Sequence, residues 1–479
     1  MAGVRTAAAV SAAKLAAALS RRLGLGGGTA LPGLVAEAVA PGLAARLAAE
    51  LGHGCLLVTG TNGKTTTARL VRDIARAAGY LPVTNSAGSN MMRGITAALS
   101  EAADSQGRIP LRERRLGVFE VDEATLPEAA AALSPRVIVF TNLFRDQLDR
   151  YGEVDSVAAL WREALGNLSP AVTVVLNADD PGVAGLAAAC HGPIVFFGVA
   201  DADCALLGKG LEHAADARWC PACGREYAYS AVFYGHVGRW ACPGCGRSRP
   251  AAQVEAVRVE QPAAGPLGVL ATTPVGRLEL SLPLIGLYNV YNALAAAAGA
   301  VALGVEAAAI QEGVSSFTAA FGRQERFEVR GREVQTILAK NPAGLNQVLR
   351  ALVADCGGSK PSATSEPGHR NLLFLLNDDI ADGRDVSWIW DVDFEMLAGH
   401  TGLLLASGRR AVDMALRLKY AGLDPDPVLE SNPERALARA LSLTPAGGTL
   451  YVVPTYTAML QVRRILARWG HRPQFWEET

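Results

Sequence analysis

Residues 55–67 read CLLVTGTNGKTTT, which is a strand, a glycine turn and the start of a helix in that order. The apolar run Cys55–Val58 is the predicted strand, and a helical pattern continues from the turn to Ala77. Such a turn points several backbone N–H groups and the positive end of a helix at one spot, which suits the phosphates of a nucleoside triphosphate. We therefore predict a nucleotide-binding turn at residues 60–66.

Two side chains of this turn have the chemistry that a triphosphate needs. Lys64 can reach the outer phosphates, and the hydroxyl of Thr65 can ligate magnesium. Lys64 is one of six lysines in a chain that otherwise uses arginine for its positive charge, which favours a functional role. The spacing departs from the usual eight-residue P-loop, because Thr59 stands four positions before Gly63. An ordinary strand-to-helix turn is the alternative.

The composition is that of a folded globular protein, with 50% hydrophobic and 19% charged residues among 479. Lys and Arg number 45 against 46 for Asp and Glu, so the chain lacks the positive field that grips a nucleic-acid backbone, and we exclude nucleic acid as the main partner.

No apolar run is long enough to span a bilayer. The alanine-rich start carries Arg5, Lys14, Arg21 and Arg22. We expect a packing helix there, with a basic helix at a membrane surface as the alternative.

Short apolar runs alternate with alanine-rich helical patterns along most of the chain, which is typical of parallel α/β sheets. The predicted strands lie at 116–121, 137–140, 172–176 and 194–197, and again at 336–339, 372–376, 402–406 and 449–453. Between the two series, residues 201–282 break the rhythm and predict a small β-rich insertion. We predict a helical segment at 1–50, a central P-loop ATPase domain at 51–325 and a Rossmann-like carboxy-terminal α/β domain at 326–479.

Four of the eight cysteines form two tight pairs within the central domain, in a segment at about 216–250. Two residues separate Cys220 from Cys223, and two separate Cys242 from Cys245. This is the spacing of a four-thiolate zinc ribbon, in which each pair lies on a knuckle turn and the four sulfurs close a tetrahedron. Four thiolates leave no coordination position open for water, so we predict a structural Zn²⁺ ion.

Further motifs follow the glycine turn in order and resemble those of the Mur ligase family. They are Glu120 at a strand end, Thr141-Asn142 with Asp146–Asp149, Asn177–Pro181, Gly286 with Asn289 and Asn292, and Gly322–Glu325. Members of this family are ATP-dependent enzymes that activate a carboxylate as an acyl phosphate and then form an amide bond. The resemblance implies a Mur-ligase-like central domain that binds ATP and Mg²⁺.

The resemblance also implies roles for individual residues. Lys64 and Glu120 are implied to be catalytic, and Glu120 joins Thr65 on Mg²⁺. Asn292 is implied to meet the adenine, and Arg323 the nucleotide. The implied nucleotide-binding turn comprises Gly60, Thr61, Asn62, Gly63, Lys64, Thr65 and Thr66.

Two positions differ from the pattern of many family members. Gln147 and Lys340 stand where those members have histidines. Lys340 precedes Asn341-Pro342, where it could contact a phosphate or serve as a structural lysine on a loop.

Residues 376–391 form an unusual acidic segment with two tryptophans, Trp388 and Trp390. Its aspartates at 378, 379, 382 and 385 could form a magnesium site, a cluster of helix caps or part of a docking surface. Together with residues 339–344, the segment resembles the carboxy-terminal domain of the MurT family, the synthetase subunits of bacterial lipid II isoglutaminyl synthase. This resemblance extends over nearly the whole chain.

The MurT resemblance implies that the α-carboxylate of D-glutamate in the lipid II stem peptide becomes an amide, giving D-isoglutamine. The nitrogen is implied to come from glutamine through a separate GatD-type glutaminase subunit, since no scattered cysteine lies in a recognisable nucleophile motif. By motif position, Asp385 is implied to be catalytic by orienting the partner's histidine. Capping of a helix that begins near Val386 is the competing role.

The lipid tail of this substrate implies a cytoplasmic protein at the inner face of the plasma membrane, with peripheral membrane contact only through the substrate. Two other functions stay open. A stand-alone ligase that adds an amino acid to a murein precursor or to folate would need no partner. A non-catalytic scaffold would use nucleotide and zinc only for folding, and would present Trp388 and Trp390 to another protein.

Overall fold

The computed structural model contains two large β-sheets, one of nine strands and one of five, and a separate two-stranded hairpin. It describes residues 2–22, 30–85, 89–145, 154–206, 211–212, 215–260, 266–317, 323–354, 369–423 and 430–470. Alternate residues of each large sheet belong to different apolar clusters, so both faces are covered. The predicted α/β class is confirmed.

The nine-stranded sheet is mostly parallel. Its strands are β1 (Cys55–Thr59), β2 (Leu81–Thr84), β3 (Arg115–Glu120), β4 (Val137–Phe140), β5 (Thr173–Asn177), β6 (Ile194–Val199), β9 (Val254–Glu260), β10 (Leu267–Thr273) and β11 (Gly276–Leu282). The order is β11-β10-β9-β6-β5-β4-β1-β3-β2, with β10 antiparallel to both of its neighbours.

The region at 201–282 differs from the prediction of a small insertion. Strands β9 to β11 extend the main sheet, because alternate residues such as Val269 and Leu280 bury one face in its core. The hairpin of β7 (Ala228–Tyr234) and β8 (Val237–Ala241) forms a sheet of its own beside it.

Helices cover the large sheet, and an amino-terminal layer of three helices packs near its β3 side. The described helices are α1 (Ala2–Arg22), α2 (Leu31–Val39), α3 (Leu43–Ala48), α4 (Lys64–Ala77), α5 (Met92–Ala102), α6 (Leu126–Leu133), α7 (Val154–Gly166), α8 (Pro181–Ala184), α9 (Leu287–Ala302) and α10 (Ala307–Ser315). Helix α9 is rich in alanine and almost wholly buried, since small side chains let it lie close against the strands.

The carboxy-terminal sheet has the order β12-β13-β16-β14-β15 and is parallel except for β12. Its elements are β12 (Arg323–Val329), β13 (Arg332–Ile337), α11 (Pro342–Ala354), β14 (Arg370–Leu375), β15 (Thr401–Ser407), α12 (Ala411–Tyr420), α13 (Pro433–Leu443), β16 (Thr449–Pro454) and α14 (Tyr456–Arg468). Short 3₁₀ turns at Ser387–Asp391 and Phe394–Leu397 lie between β14 and β15.

Candidate functional site

The predicted nucleotide-binding turn lies where neighbouring parallel strands end. Strand β1 runs between β3 and β4, with Val58 beside Glu120 and Thr59 beside Phe140. The turn after β1, the carboxylate at the end of β3 and the Thr141-Asn142 pair after β4 therefore meet at one edge of the sheet. Ligands of open α/β sheets bind at this kind of edge.

Two glycines of the turn have backbone conformations and close neighbours that exclude a side chain. The φ angles are +132° at Gly60 and +86° at Gly63. A Cβ atom on Gly60 would lie 2.1 Å from Thr141 Oγ1, and one on Gly63 would lie 2.0 Å from Asn292 Oδ1. Because α4 begins at the next residue, the positive end of that helix faces the turn.

Hydrogen bonds to the segment after β4 fix the rest of the turn. The Thr61 hydroxyl donates to Phe144 O over 3.0 Å and accepts from Phe144 N over 2.9 Å. Asn62 N donates to Asn142 Oδ1 over 2.9 Å, and Thr141 Oγ1 donates to Asn62 O over 2.7 Å. Thr61 and Asn62 thus set the shape of the turn through several partners.

Lys64 is buried and ion-paired. Its Nζ lies 2.9 Å from Glu123 Oε1 and donates to the carbonyls of Gly60 and Thr61 over 2.5 and 3.2 Å. The side chains of Lys64 and Glu123 are 7% and 6% exposed. Glu123 therefore holds the lysine charge at the turn, a role that the sequence analysis missed.

Two candidate magnesium ligands lie at the same edge of the sheet. Thr65 is in the first turn of α4, and Glu120 is the last residue of β3; both are partly buried. Asn85 fixes the Glu120 backbone, accepting from its N–H over 3.0 Å and donating to its carbonyl over 2.8 Å. Hydroxyl and carboxylate oxygens are ligands that Mg²⁺ prefers.

Asn292 lies on α9 directly against Gly63. Its Nδ2 donates to Asn289 Oδ1 over 3.0 Å, and the neighbouring Tyr291 hydroxyl donates to Asp179 Oδ2 over 2.7 Å. Burial raises the pKa of Asp179, while Arg249 and Tyr291 act in the opposite direction. This network anchors the helix that carries Asn292.

A cleft of about 810 Å³, partly open to solvent, lies between the turn and the carboxy-terminal domain. Asn62, Asn292 and Tyr288 line one side, and Lys340 and Gln347 line the other. Asn341 Nδ2 donates to Asn62 Oδ1 over 2.9 Å and so links the two domains at the turn.

Several predicted site residues lie wholly or partly outside the described structure. Arg323 is the first residue of β12, paired with Ile337, and its side chain is outside the described part of the structure. Gln147 and the Asp146–Asp149 motif, like Gly322, lie outside the described residues.

The four paired cysteines come together at one end of the hairpin. Their sulfurs all lie within 4.8 Å of one another. Each pair is on a tight turn: Gly224 N donates to Cys220 O over 2.8 Å, and Gly246 N donates to Cys242 O over 3.1 Å. Among the residues that the structure describes, this is the cluster that could hold a metal ion.

The aspartates at 378, 379, 382 and 385 all have partners within the chain. Asp378 and Asp379 each lie 3.0 Å from Arg409, and Asp382 accepts from Thr457 N over 2.8 Å. Asp385 is exposed and accepts from Ser387 N over 2.8 Å. Hydrogen bonds from the Ser387 backbone and side chain lower the pKa of Asp385, so its carboxylate is charged at neutral pH.

Asp385 precedes a short 3₁₀ turn at Ser387–Asp391, whose N-cap residue is Val386 and has no side-chain cap hydrogen bond. The Asp385 Oδ1 atom accepts from Ser387 N at the entry to this turn. Nearby, the rings of Trp390 and Tyr420 lie 5.5 Å apart, and both side chains are exposed, at 47% and 72%.

Comparison with protein families and curated proteins identifies the family. Models of the Mur ligase middle domain and of the MurT ligase C-terminal domain match residues 58–217 and 338–459. The chain is 32% identical to the Staphylococcus aureus (strain COL) protein named "Lipid II isoglutaminyl synthase (glutamine-hydrolyzing) subunit MurT", over 96% of this chain and 97% of that protein. The chain belongs to the MurT family.

A second MurT protein, from Streptococcus pneumoniae (strain ATCC BAA-255 / R6), is also 32% identical, over 92% of this chain and 93% of its own. Among solved structures, a pseudomurein peptide ligase type C from Methanothermus fervidus matches with a TM-score of 0.63 and 23% identity, over 88% of this chain and 79% of its own. The fold is therefore Mur-ligase-like, and this MurT-family chain is an ATP-dependent ligase of the Mur type. No described helix is long and apolar enough to cross a membrane.

Proposed function

We propose that this chain is the synthetase subunit that amidates the α-carboxylate of D-glutamate in the lipid II stem peptide, giving D-isoglutamine. The strongest support is the match, over 96% of the chain, to a protein named as the MurT subunit of lipid II isoglutaminyl synthase. The lipid tail of such a substrate would bring the chain to the inner face of the plasma membrane.

The proposed reaction has two steps. A carboxylate oxygen of the acceptor attacks the γ-phosphorus of ATP, and the bond to ADP breaks, which gives an acyl phosphate. Ammonia then attacks the acyl carbon, loses a proton and displaces inorganic phosphate. Phosphorylation makes the acid oxygen a good leaving group, and positioning supplies much of the acceleration in such transfers.

The geometry of the turn at 60–66 supports this chemistry. Gly60 and Gly63 adopt the positive φ angles that shape the turn, and Lys64 brings a buried positive charge to the same place. Thr65 and Glu120 are the residues that would hold Mg²⁺, which when bound neutralises charge on the phosphoryl oxygens. We propose Asn292 at the adenine and Arg323 at the nucleotide, as the family resemblance implies.

Lys64 would have to exchange partners during this reaction. In the described structure its amine is shared between Glu123 and two backbone carbonyls, Gly60 O and Thr61 O. Phosphate oxygens are stronger acceptors than carbonyls because the hydrogen bond is charge-assisted. We propose that Glu123 holds the Lys64 side chain near the turn until the nucleotide arrives.

We propose that a separate GatD-type glutaminase supplies the ammonia. The two MurT proteins are themselves named as subunits of a glutamine-hydrolysing enzyme. Burial raises the pKa of Cys55 to about 12, of Cys190 to about 11 and of Cys204 to about 12, which disfavours the thiolate that a glutaminase nucleophile needs. Asp385, exposed and charged, is the proposed acceptor for the partner's catalytic histidine.

The direct test is amidation of lipid II by the purified chain together with its glutaminase, followed by mass spectrometry. Amidation should require ATP and proceed with glutamine, or with ammonium in the absence of the partner. An amino acid added to the acceptor by the chain alone would instead indicate a stand-alone ligase. Absence of any carboxylate-dependent ATP turnover would indicate a scaffold.

We also propose that the cysteine cluster binds a structural Zn²⁺ ion. Its four sulfurs fit a closed tetrahedral site, which would stabilise the hairpin without taking part in chemistry. Metal analysis should find one zinc per chain. Cys223→Ser should lose the metal and lower the melting temperature, while the control Cys190→Ser should keep the metal. Full zinc in the Cys223→Ser chain would contradict the assignment.

A further inference from the structure

Helices α1 and α2 expose large apolar side chains to solvent. Val4, Leu15 and Leu19 on α1 are 77%, 62% and 49% exposed, and Leu31 and Leu34 on α2 are 48% and 51% exposed. We call these five residues the N-terminal patch. At about 100° per residue, Val4, Leu15 and Leu19 project from one face of α1.

The opposite face of α1 is made of small residues. Thr6, Ala9, Val10 and Ala13 are buried there. Small side chains let α1 lie close against its neighbours, while the larger leucines remain outside. The exposed leucines are thus not needed for the packing of this helix.

The charge around the N-terminal patch is positive. Residues 1–36 contain Arg5, Lys14, Arg21 and Arg22 and no acidic residue, in a chain whose net charge is -1. Arg5 Nε donates to Val39 O over 2.7 Å, and Lys14 Nζ donates to Ala103 O over 2.5 Å. Asp104, close to Lys14, offsets part of that charge.

Helix α2, which carries part of the patch, is connected through α5 to the sheet edge that carries the candidate site. Its buried side packs on the start of α5, where a Cβ on Gly33 would lie 1.7 Å from Arg93 O. Just before α5, Asn90 O accepts from Asp122 N over 2.9 Å, two residues after Glu120.

A second group of exposed apolar residues has a different electrostatic character. Trp390, Val412 and Tyr420 lie in the carboxy-terminal domain among charges of both signs, including Arg417 and Asp413. Mixed charges suit a protein partner, for which complementary pairs fix the orientation. Exposed leucines in a segment that carries basic but no acidic residues, as residues 1–36 do, are instead typical of proteins that bind anionic lipid.

We propose that the N-terminal patch docks on an anionic bilayer. The leucines enter the headgroup region and the basic residues contact the lipid phosphates. This proposal differs from the expectation, made from the sequence, that membrane contact occurs only through the substrate. The docking rests on the exposed residues and their charge, whereas its use in presenting a lipid-linked acceptor to the site rests on the proposed function.

Vesicle flotation tests the docking without the reaction. The full chain should float with vesicles that contain phosphatidylglycerol but no lipid II, and should float much less with phosphatidylcholine alone. The Leu15→Glu/Leu19→Glu chain should bind the anionic vesicles roughly tenfold more weakly. The matched control is Val412→Glu/Leu416→Glu, an equally spaced pair on α12 that is 66% and 47% exposed, and it should bind as the wild type does.

Two results would overturn the proposal. One is equal binding by the two double variants. The other is a Leu15→Glu/Leu19→Glu chain that keeps vesicle binding but loses its glutaminase partner or a second copy of the chain, since the patch would then be a protein interface. Melting temperatures of both variants should match the wild type, because the substituted positions are exposed.

An activity comparison separates this proposal from the proposed function. With ammonium as nitrogen source, Leu15→Glu/Leu19→Glu should amidate lipid II in anionic vesicles several-fold more slowly, yet amidate a soluble stem-peptide acceptor at the wild-type rate. Equal rates on both acceptors would refute the docking while leaving the amidation in place. Wild-type vesicle binding with no amidation of any acceptor would refute the function and leave the docking in place.

Discussion

The turn at 60–66 and the acidic segment at 376–391 both carry proposed catalytic residues, but they are built in different ways. Lys64 is buried, and Glu123 and two backbone carbonyls surround its amine. Asp385 is exposed, and the neighbouring Ser387 fixes its carboxylate. The first site is assembled within the chain, whereas the second presents a charged group outward.

The difference indicates which reactions each site can affect. A buried lysine within the proposed nucleotide-binding turn acts on the step that activates the acceptor, so its loss should stop amidation from every nitrogen source. An outward carboxylate held by a neighbouring backbone N–H can act on a partner, so its loss should affect only the nitrogen that the partner supplies.

Lys64→Ala should have the largest effect. Removal of the charge that would neutralise the transferred phosphoryl group should lower both glutamine-driven and ammonium-driven amidation about 1,000-fold or more. The control Lys419→Ala, at an exposed lysine of α12, should retain activity. Zinc content and partner binding report whether the variant is folded, and full activity in a folded Lys64→Ala chain would refute the role of the turn.

Asp385→Asn should lower glutamine-driven amidation about 100-fold and leave ammonium-driven amidation nearly unchanged. Asparagine keeps an oxygen that can accept from Ser387 N, so the turn survives. The negative charge that would act on the partner's histidine is lost. Asp155→Asn, at an exposed aspartate of α7, serves as the control. An equal loss with both nitrogen sources would show that Asp385 is only structural.

Glu123→Gln tests, through the stability of the fold, whether the buried ion pair with Lys64 holds the first site together. Loss of one charge from a buried pair should destabilise the fold by about 3 kcal/mol. Glu260→Gln removes a similar charge from the exposed pair with Arg258, 2.7 Å apart, and should cost less than about 1 kcal/mol. Thermal melting of the two variants gives the comparison, and equal shifts would contradict the buried pairing.

The sequence predicted features that depend on local spacing or on a recognised motif. The glycine turn, the end of β3 and the paired cysteines all belong to short segments, and parallel strands bring the first two together. Glu123 was missed because its partner lies 59 positions away, and nothing in the spacing distinguishes it from a surface carboxylate.

Contacts between domains were also beyond sequence reasoning. The bond from Asn341 to Asn62 spans 279 positions. The sequence analysis singled out Lys340 in the Lys340-Asn341-Pro342 motif, but the residue that makes the contact is Asn341. The strands at 254–282 were assigned to an insertion because their alternating pattern does not reveal which sheet they join.

The start of α14 contacts the acidic segment and lies within electrostatic reach of Glu120. Burial raises the pKa of Tyr456, and the negative charges of Asp382 and Glu120 raise it further. Thr457, the next residue, donates its N–H to Asp382, three positions before Asp385. The amino-terminal end of one helix thus lies between the field of a proposed magnesium ligand and the backbone that carries the outward-facing carboxylate.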